Sequence, residues 1–156
     1  MNGVAMVKID PQRAAVLVEA RQWIGTPYHH MGRVKGGGVD CLTFLVEVYR
    51  RAGIIGPIET AHYRPDWYLH REEELYLEGL MAHAREIAVP RPADIALFRF
   101  GRCFSHAAIV TEWPMLIHAF TAHGVVPVSA ESACFLDRRS RPRERRFFSP
   151  FPVSVP

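Results

Sequence analysis

Cys41 follows Gly36-Gly37-Gly38-Val39-Asp40 and precedes Leu42-Thr43-Phe44-Leu45-Val46-Glu47-Val48-Tyr49, so a thiol stands where a flexible loop becomes a helix. Asp40 has the character of an N-cap and Gly53 of a C-cap, and Cys41, Leu45, Val48 and Ala52 recur at helical spacing. Unpaired N–H groups and the helix dipole in a first turn favour thiolate. With a cation nearby they bring a cysteine pKa from about 8.5 to roughly 3.5–7.5. The competing reading is a small buried cysteine packed like alanine, as free cysteines commonly are.

A thiol nucleophile needs a base, and the base needs a third group to set its ring. Ser105-His106-Ala107-Ala108-Ile109-Val110-Thr111 and Met115-Leu116-Ile117-His118-Ala119-Phe120 are β-rich runs joined by the turn-forming Glu112-Trp113-Pro114. They predict a hairpin. If Val110 pairs with Leu116, His118 falls opposite Ala108 and diagonal to His106 on one face, where the two imidazoles can touch. A one-residue slip would put them on opposite faces.

The elements that must hold these residues follow from caps and periodicity. Asp10 as N-cap and Pro11 at the first helical position start a helix running through Val16, Ala20 and Trp23 to Gly25, expected to pack on the Cys41 helix. A further helix is predicted over 71–88, with Leu77, Leu80, Met81, Ala84 and Ile87 on one face and Glu72, Glu73 and Glu74 at its positive end. Ile95 to Phe100, Ala107 to Thr111, Leu116 to Phe120 and Val125 to Ser129 then read as strands of an antiparallel sheet. With 156 residues, 49% of them hydrophobic, the chain suffices for one domain with a real core, and no second domain fits comfortably.

Taken in order, these residues resemble the NlpC-type cell-wall cysteine peptidases, a papain-like group acting on peptidoglycan stem peptides. Trp23-Ile24-Gly25-Thr26-Pro27-Tyr28 is similar to the family's Gly-Thr-Pro-Tyr element, and Gly38-Val39-Asp40-Cys41 to its glycine-led Asp-Cys motif. Pro92-Ala93-Asp94-Ile95-Ala96-Leu97-Phe98 is similar to its Pro-Gly-Asp strand, and the spacing of 12 from His106 to His118 is also shared. The resemblance implies an α+β papain-like fold in which N-terminal helices, with Cys41 at a helix start, pack on an antiparallel sheet carrying His106. It implies Cys41 as nucleophile, His106 as base and later acid, and His118 as the residue holding the His106 tautomer. The Cys41 N–H is the implied oxyanion donor and Tyr28 a candidate hydroxyl at the same cleft; Tyr28 reads equally well as an aromatic anchor for its loop. Asp40, Ser105 and His30 are the candidates for binding substrate, with a simple N-cap the equal alternative for Asp40. Where the family usually places Ser-Gly after Asp-Cys, this chain has Leu42-Thr43.

The helix over 71–88 reads as part of a helical insertion at about 60–90, and the preceding Tyr63-Arg64-Pro65-Asp66-Trp67-Tyr68-Leu69 resembles the middle segment of phage and gene-transfer-agent members, which implies tail proteins as partners. The amino terminus lacks the pattern of a secretory signal and no apolar run reaches membrane-span length. The expectation is therefore synthesis in the cytoplasm, no membrane insertion, and delivery to the wall by a virion or prophage tail. Three other readings share parts of the same residues: a structural tail subunit with an inert Cys41, a thiol acyltransferase relative, and a module binding wall polymer or nucleic acid through its arginines.

The net charge of +3 is localised, since Asp137 to Arg146 holds six arginines against one aspartate and one glutamate. The segment 137–156 is read as a solvated, proline-broken stretch, because no base-stacking pattern accompanies the arginines; no nucleic-acid partner is expected. Cys41, Cys103 and Cys134 have neither disulfide-framework nor zinc-finger spacing. Among the eight histidines, His29-His30, His62, His70, His83 and His123 lack the arrangement that points two imidazoles at one ion, so no metal or cofactor is expected.

Overall fold

The structure, a computed structural model, describes residues 10–58 and 75–153. The expected aromatic segment Tyr63–Leu69 and the glutamates Glu72–Glu74 lie outside the described residues. The order is α1 (Pro11–Gln22), β1 (Arg33–Val34), β2 (Gly38–Val39), α2 (Cys41–Arg51), α3 (Leu75–Met81), β3 (Arg85–Ile87), β4 (Ile95–Phe100), β5 (Cys103–Glu112), β6 (Met115–Phe120), β7 (Gly124–Ser129) and β8 (Arg145–Ser149).

Both N-terminal helices start as their caps dictate. Asp10 accepts from the Gln12 N–H with Pro11 in the first turn, and Asp40 accepts from Leu42 and Thr43 N–H. Thr43 completes a reciprocal box, its hydroxyl accepting from the Asp40 N–H at 3.0 Å. The Leu42-Thr43 departure from the Ser-Gly pattern thus has a local use: Thr43 locks the start of α2. Gly53, just past the helix, takes φ +77, a conformation that penalises any residue with a Cβ. Trp23 meets Phe44 edge-on at 6.2 Å between ring centroids, which seats α1 on α2.

Six antiparallel strands form one sheet in the order β3-β8-β4-β5-β6-β7. The period of two sorts each strand between two faces. Ile95, Leu97, Ala107, Ile109, Ile117, Ala119 and Phe148 join the helices' Val16, Trp23, Phe44 and Val48 in the larger core. Ala96, Phe98, Ala108, Val110 and Leu116 point the other way, under Phe135 from a short 3-10 turn at Ala133–Phe135.

Two expectations are corrected. The predicted helix over 71–88 ends at Met81 in the structure, and Arg85–Ile87 forms edge strand β3 instead. Leu77 and Leu80 are buried as expected, but Met81 is exposed. The reason is non-local: β8 supplies the hydrogen bonds, pairing Arg85 with Ser149 and Ile87 with Phe147. The segment 137–156 is not a solvated stretch throughout, because Arg145–Ser149 runs between β3 and β4 inside the sheet. Its arginines lie over aromatic rings, Arg145 over Phe98 and Trp113 and Arg146 over Phe104 and Phe148, so charge and strand coexist.

A buried ion pair ties α1 to the sheet. Arg13 donates through Nη1 to Asp94 Oδ1 at 2.9 Å and to the Pro92 carbonyl at 2.9 Å, and its guanidinium lies 4.4 Å from the centre of the Phe151 ring. Asp94 also accepts from the Arg91 N–H at 2.8 Å. Thus the Pro-Ala-Asp element before β4 is an anchor between layers.

Candidate active site

The hairpin register agrees with the spacing argument: Val110 pairs with Leu116 and Ile109 with Ile117. His106 and His118 therefore share a face, and His106 Nε2 lies 2.8 Å from His118 Nδ1. The rings meet at a steep angle, with centroids 5.0 Å apart, in a wall made by Phe100, Phe120 and Phe135. Both are buried, at 7% and 1% exposure.

Cys41 opens α2, and its Sγ donates to the Ser105 carbonyl at 3.7 Å, one residue before His106 on β5. The structure thus brings the helix start to the histidine strand. Loop 25–28 helps hold that docking. The Gly25 N–H donates to the Val125 carbonyl, the Val125 N–H to the Thr26 carbonyl, and the Val39 N–H to the Pro27 carbonyl. At Gly38, a Cβ would sit 2.5 Å from the His29 Cβ, so the glycine run preceding Cys41 permits a backbone approach no larger residue allows.

The other candidates fall into distinct roles. The Asp40 carboxylate, 1% exposed, caps the helix by accepting from Leu42 and Thr43 N–H through one oxygen, while the other accepts from the Met31 N–H and lies 3.7 Å from His30 Nδ1 in the preceding loop. Ser105 directs its hydroxyl to the Phe100 carbonyl at 3.3 Å. Tyr28 is half-buried against the core and bridges to Val39. Among the described residues, no group of three His, Cys, Asp or Glu side chains is placed to hold a metal ion. Residues that sequence patterns did not single out also reach the site. The Tyr76 hydroxyl on α3 donates to the Cys41 carbonyl at 3.4 Å, and Arg143 approaches through Phe100. Only a fold that returns 75–81 to the helix start and 143 to the aromatic rings around His106 could reveal them.

The electrostatics reverse one expectation. N–H groups of Ala107, Cys41 and Leu42 do pull the thiol pKa down, as a helix start should, but burial and then the Asp40 carboxylate outweigh them and push it up to about 12. The residue still keeps part of its surface in solvent. Burial, then His118, then Arg143 hold His106 well below 6.5, and burial followed by His123 brings His118 to about 4. At rest the thiol and both imidazoles are neutral. Labelling of Cys41 with iodoacetamide, followed by mass spectrometry, is therefore expected to climb steadily to about pH 10. A plateau reached near pH 7 would show a preformed thiolate.

The same burial makes stability pH-dependent. Unfolded His118 titrates near 6.5 and folded His118 near 4, so between these values the unfolded chain takes up a proton that the folded one refuses. The His118 contribution to stability is full above pH 6.5 and is lost as pH drops toward 4, amounting to up to roughly 3 kcal/mol. Urea denaturation across this range should show a shallower decline in His118→Gln than in wild type; parallel declines would contradict the assignment.

The chain matches no protein-family model and no curated protein. Its fold is shared with solved NlpC/p60 domains. The NlpC/p60 domain of the peptidoglycan hydrolase SagA superposes with a TM-score of 0.58 at 19% identity, over 88% of this chain and 97% of that one. An NLP/P60-family lipoprotein-like protein from Staphylococcus aureus gives 0.58 at 20% identity over 88% of this chain; the match spans only 41% of that longer protein. RipD of Mycobacterium tuberculosis, described as a non-catalytic NlpC/p60 domain protein adapted to peptidoglycan binding, gives 0.55 at 10% identity, covering 90% and 98%.

Proposed function

We propose that this papain-like NlpC/p60-fold domain is a cysteine peptidase or amidase hydrolysing amide bonds in peptidoglycan stem peptides. The observation that carries the reading is the pairing of His106 with His118 on the strands against which the Cys41 helix start docks. A histidine aligned by a second polar group is what a thiol needs in order to become a nucleophile on demand.

The tautomers follow from the hydrogen bond. With Nε2 donating its proton to His118 Nδ1, His106 keeps an unprotonated Nδ1 as the acceptor for the Cys41 proton. His118 must be neutral to accept, and burial keeps it so above about pH 4. Because the resting thiol is protonated, transfer to His106 accompanies attack on the carbonyl carbon. The Cys41 N–H faces the developing oxyanion, and the imidazolium returns its proton to the departing amine. Water then attacks the thioester with the same base. In this scheme His118→Ala loses alignment but keeps both reacting groups, and residual cleavage remains.

Within this reading, the protein acts as a wall hydrolase associated with a phage or prophage tail. The support is the resemblance of Tyr63–Leu69 to tail-type members. A second reading, a non-catalytic wall-binding or structural tail subunit, draws on the high thiol pKa and on the fold shared with RipD. A thiol acyltransferase relative would need an apolar tunnel leading to Cys41. Digestion of purified peptidoglycan with wild type and Cys41→Ala, with products identified by mass spectrometry, separates them. New amino termini from wild type alone support the hydrolase; binding without fragments from either protein supports the wall-binding reading.

A further inference from the structure

A second concentration of positive charge lies at the far end of α2 from the thiol. Glu47 is 4% exposed, and three arginines close over its carboxylate: Arg33 of β1 donates to Oε1 at 3.2 Å, Arg50 to Oε2 at 2.7 Å and Arg51 to the same oxygen at 3.5 Å. The Arg51 guanidinium also lies 5.3 Å from the centre of the buried Trp23 ring. Lys35, just after β1, lies 5.7 Å from that ring and pairs with Glu19 at 2.7 Å. Four cations thus meet two carboxylates, and a single Glu47 cannot neutralise three guanidiniums. Its buried carboxylate acts instead as a bracket that sets Arg50 and Arg51 side by side. Their outer parts face solvent, with 39% of the Arg50 side chain and 38% of the Arg51 side chain exposed. Arg51 reaches Glu47 through Nε, so among the described residues both of its terminal amino groups lack a partner.

Side chains held in this way have already lost rotamer freedom, so that loss is not repeated when an anion binds. The outward donors suit phosphate, which a guanidinium receives through a fork of N–H groups and an ammonium as a point charge. They are spread over the turn between β1 and β2 and the last turn of α2. A chain with anions at regular intervals engages them together, where a small single anion meets only part of the cluster. Nucleic acid is the poorer match, because Trp23, the ring within the cluster, is fully buried and offers no face on which a base can stack. Resting on the reading of this domain as one that works at the cell wall, we propose that the surface docks a polyol-phosphate chain, a linear wall polymer with one phosphodiester per repeat. Cys41 opens α2 while Arg50 and Arg51 close it, which separates the surface from the thiol by about 15 Å along the helix axis. The polymer is therefore held clear of the cleft, and docking keeps the thiol close to the stem peptides of the same wall.

The test titrates a fluorescent glycerol-phosphate oligomer, read by anisotropy, into wild type and two double variants. One is Arg50→Gln with Arg51→Gln; the other, Arg138→Gln with Arg139→Gln, removes the same charge from an exposed turn. The first is expected to weaken binding by about tenfold or more and to flatten its salt dependence, the scale of lost charge-assisted contacts, and the second to change it by less than about twofold. Wild type should bind oligothymidylate and polyglutamate of equal charge more weakly than the polyol phosphate. Equal weakening by the two double variants, equal binding of either competing polyanion, or no binding of the oligomer by wild type overturns the proposal. Thermal melts confirm that the variants are folded. Should the Arg50 and Arg51 pair fail to fold, Lys35→Gln, which leaves the bonds to Glu47 in place, decides through an expected loss of about threefold or more. The titrations need no cleavage. Binding that depends on the cluster stands even if the protein releases no stem peptide, an outcome that removes only the hydrolase reading, and peptide release by a wild type that does not bind the oligomer removes only the docking surface.

Discussion

Cys41→Ala and His106→Ala are each expected to bring stem-peptide hydrolysis to background, and the double variant to be no worse than either. The activating field of the helix start is outweighed, since burial and then Asp40 hold the thiol protonated, with a pKa pushed up to about 12. In the proposed mechanism nothing removes its proton without His106, and without Cys41 the imidazole has no nucleophile to activate. General acid–base catalysis by a placed side chain is worth about 10² to 10⁴-fold, and residues acting as one unit do not add. Steady-state rates on a defined stem peptide check this. Two single losses that multiply in the double variant would mean that the residues act independently. Folding should survive, with melting temperatures moving only a few degrees, because Cys41 is a small side chain at the margin of the core and His106 contributes little apolar core.

The largest effect on stability is expected at Arg13. Removing it leaves the Asp94 carboxylate, fully buried, without its cation. Breaking a buried pair from one side costs about 3–5 kcal/mol, because the remaining charge cannot return to water. For a domain of this size that corresponds to about 10 °C or more in melting temperature. The double substitution Arg13→Met with Asp94→Asn should recover most of the loss, since the substituted amide keeps a carbonyl oxygen to accept from the Arg91 N–H. Urea unfolding measures both. A loss below about 1 kcal/mol in Arg13→Ala, the scale of an exposed ion pair, would show that α1 is held by its apolar face alone.

How much could be read beforehand depended on whether the determining forces were local. The caps at Asp10 and Asp40 act over two or three residues, so both N-terminal helices were legible. The hairpin register was legible because a period of two leaves Val110 and Leu116 few alternatives once one face is buried. The segment 82–88 misled because Ala84 and Ile87 keep helical spacing, whereas β3 exists through its pairing with β8, some sixty residues on. β8 itself was hidden by Arg145 and Arg146, whose charges suggest solvent until Phe98, Trp113, Phe104 and Phe148 are seen beneath them. At the site, the pairing of the histidines was foreseeable and the thiol's pKa was not. A helix start sets the sign of one contribution, and the depth of burial that outweighs it belongs to the whole fold.

The position of β8 bears on how this domain is made. Its partners β3 and β4 are synthesised well before it, and until Arg145–Ser149 arrives each presents a row of unsatisfied N–H and C=O groups. A nascent chain therefore carries two open edges from the completion of β4 until β8 emerges, because the pairings of β8 span long stretches of sequence and close slowly. The arginines at the head of β8 bring charge into this late step. Charge on a strand disfavours edge-to-edge pairing between two unfinished chains. On this view the basic stretch protects assembly first, and only in the finished sheet does it come to stand beside the histidines.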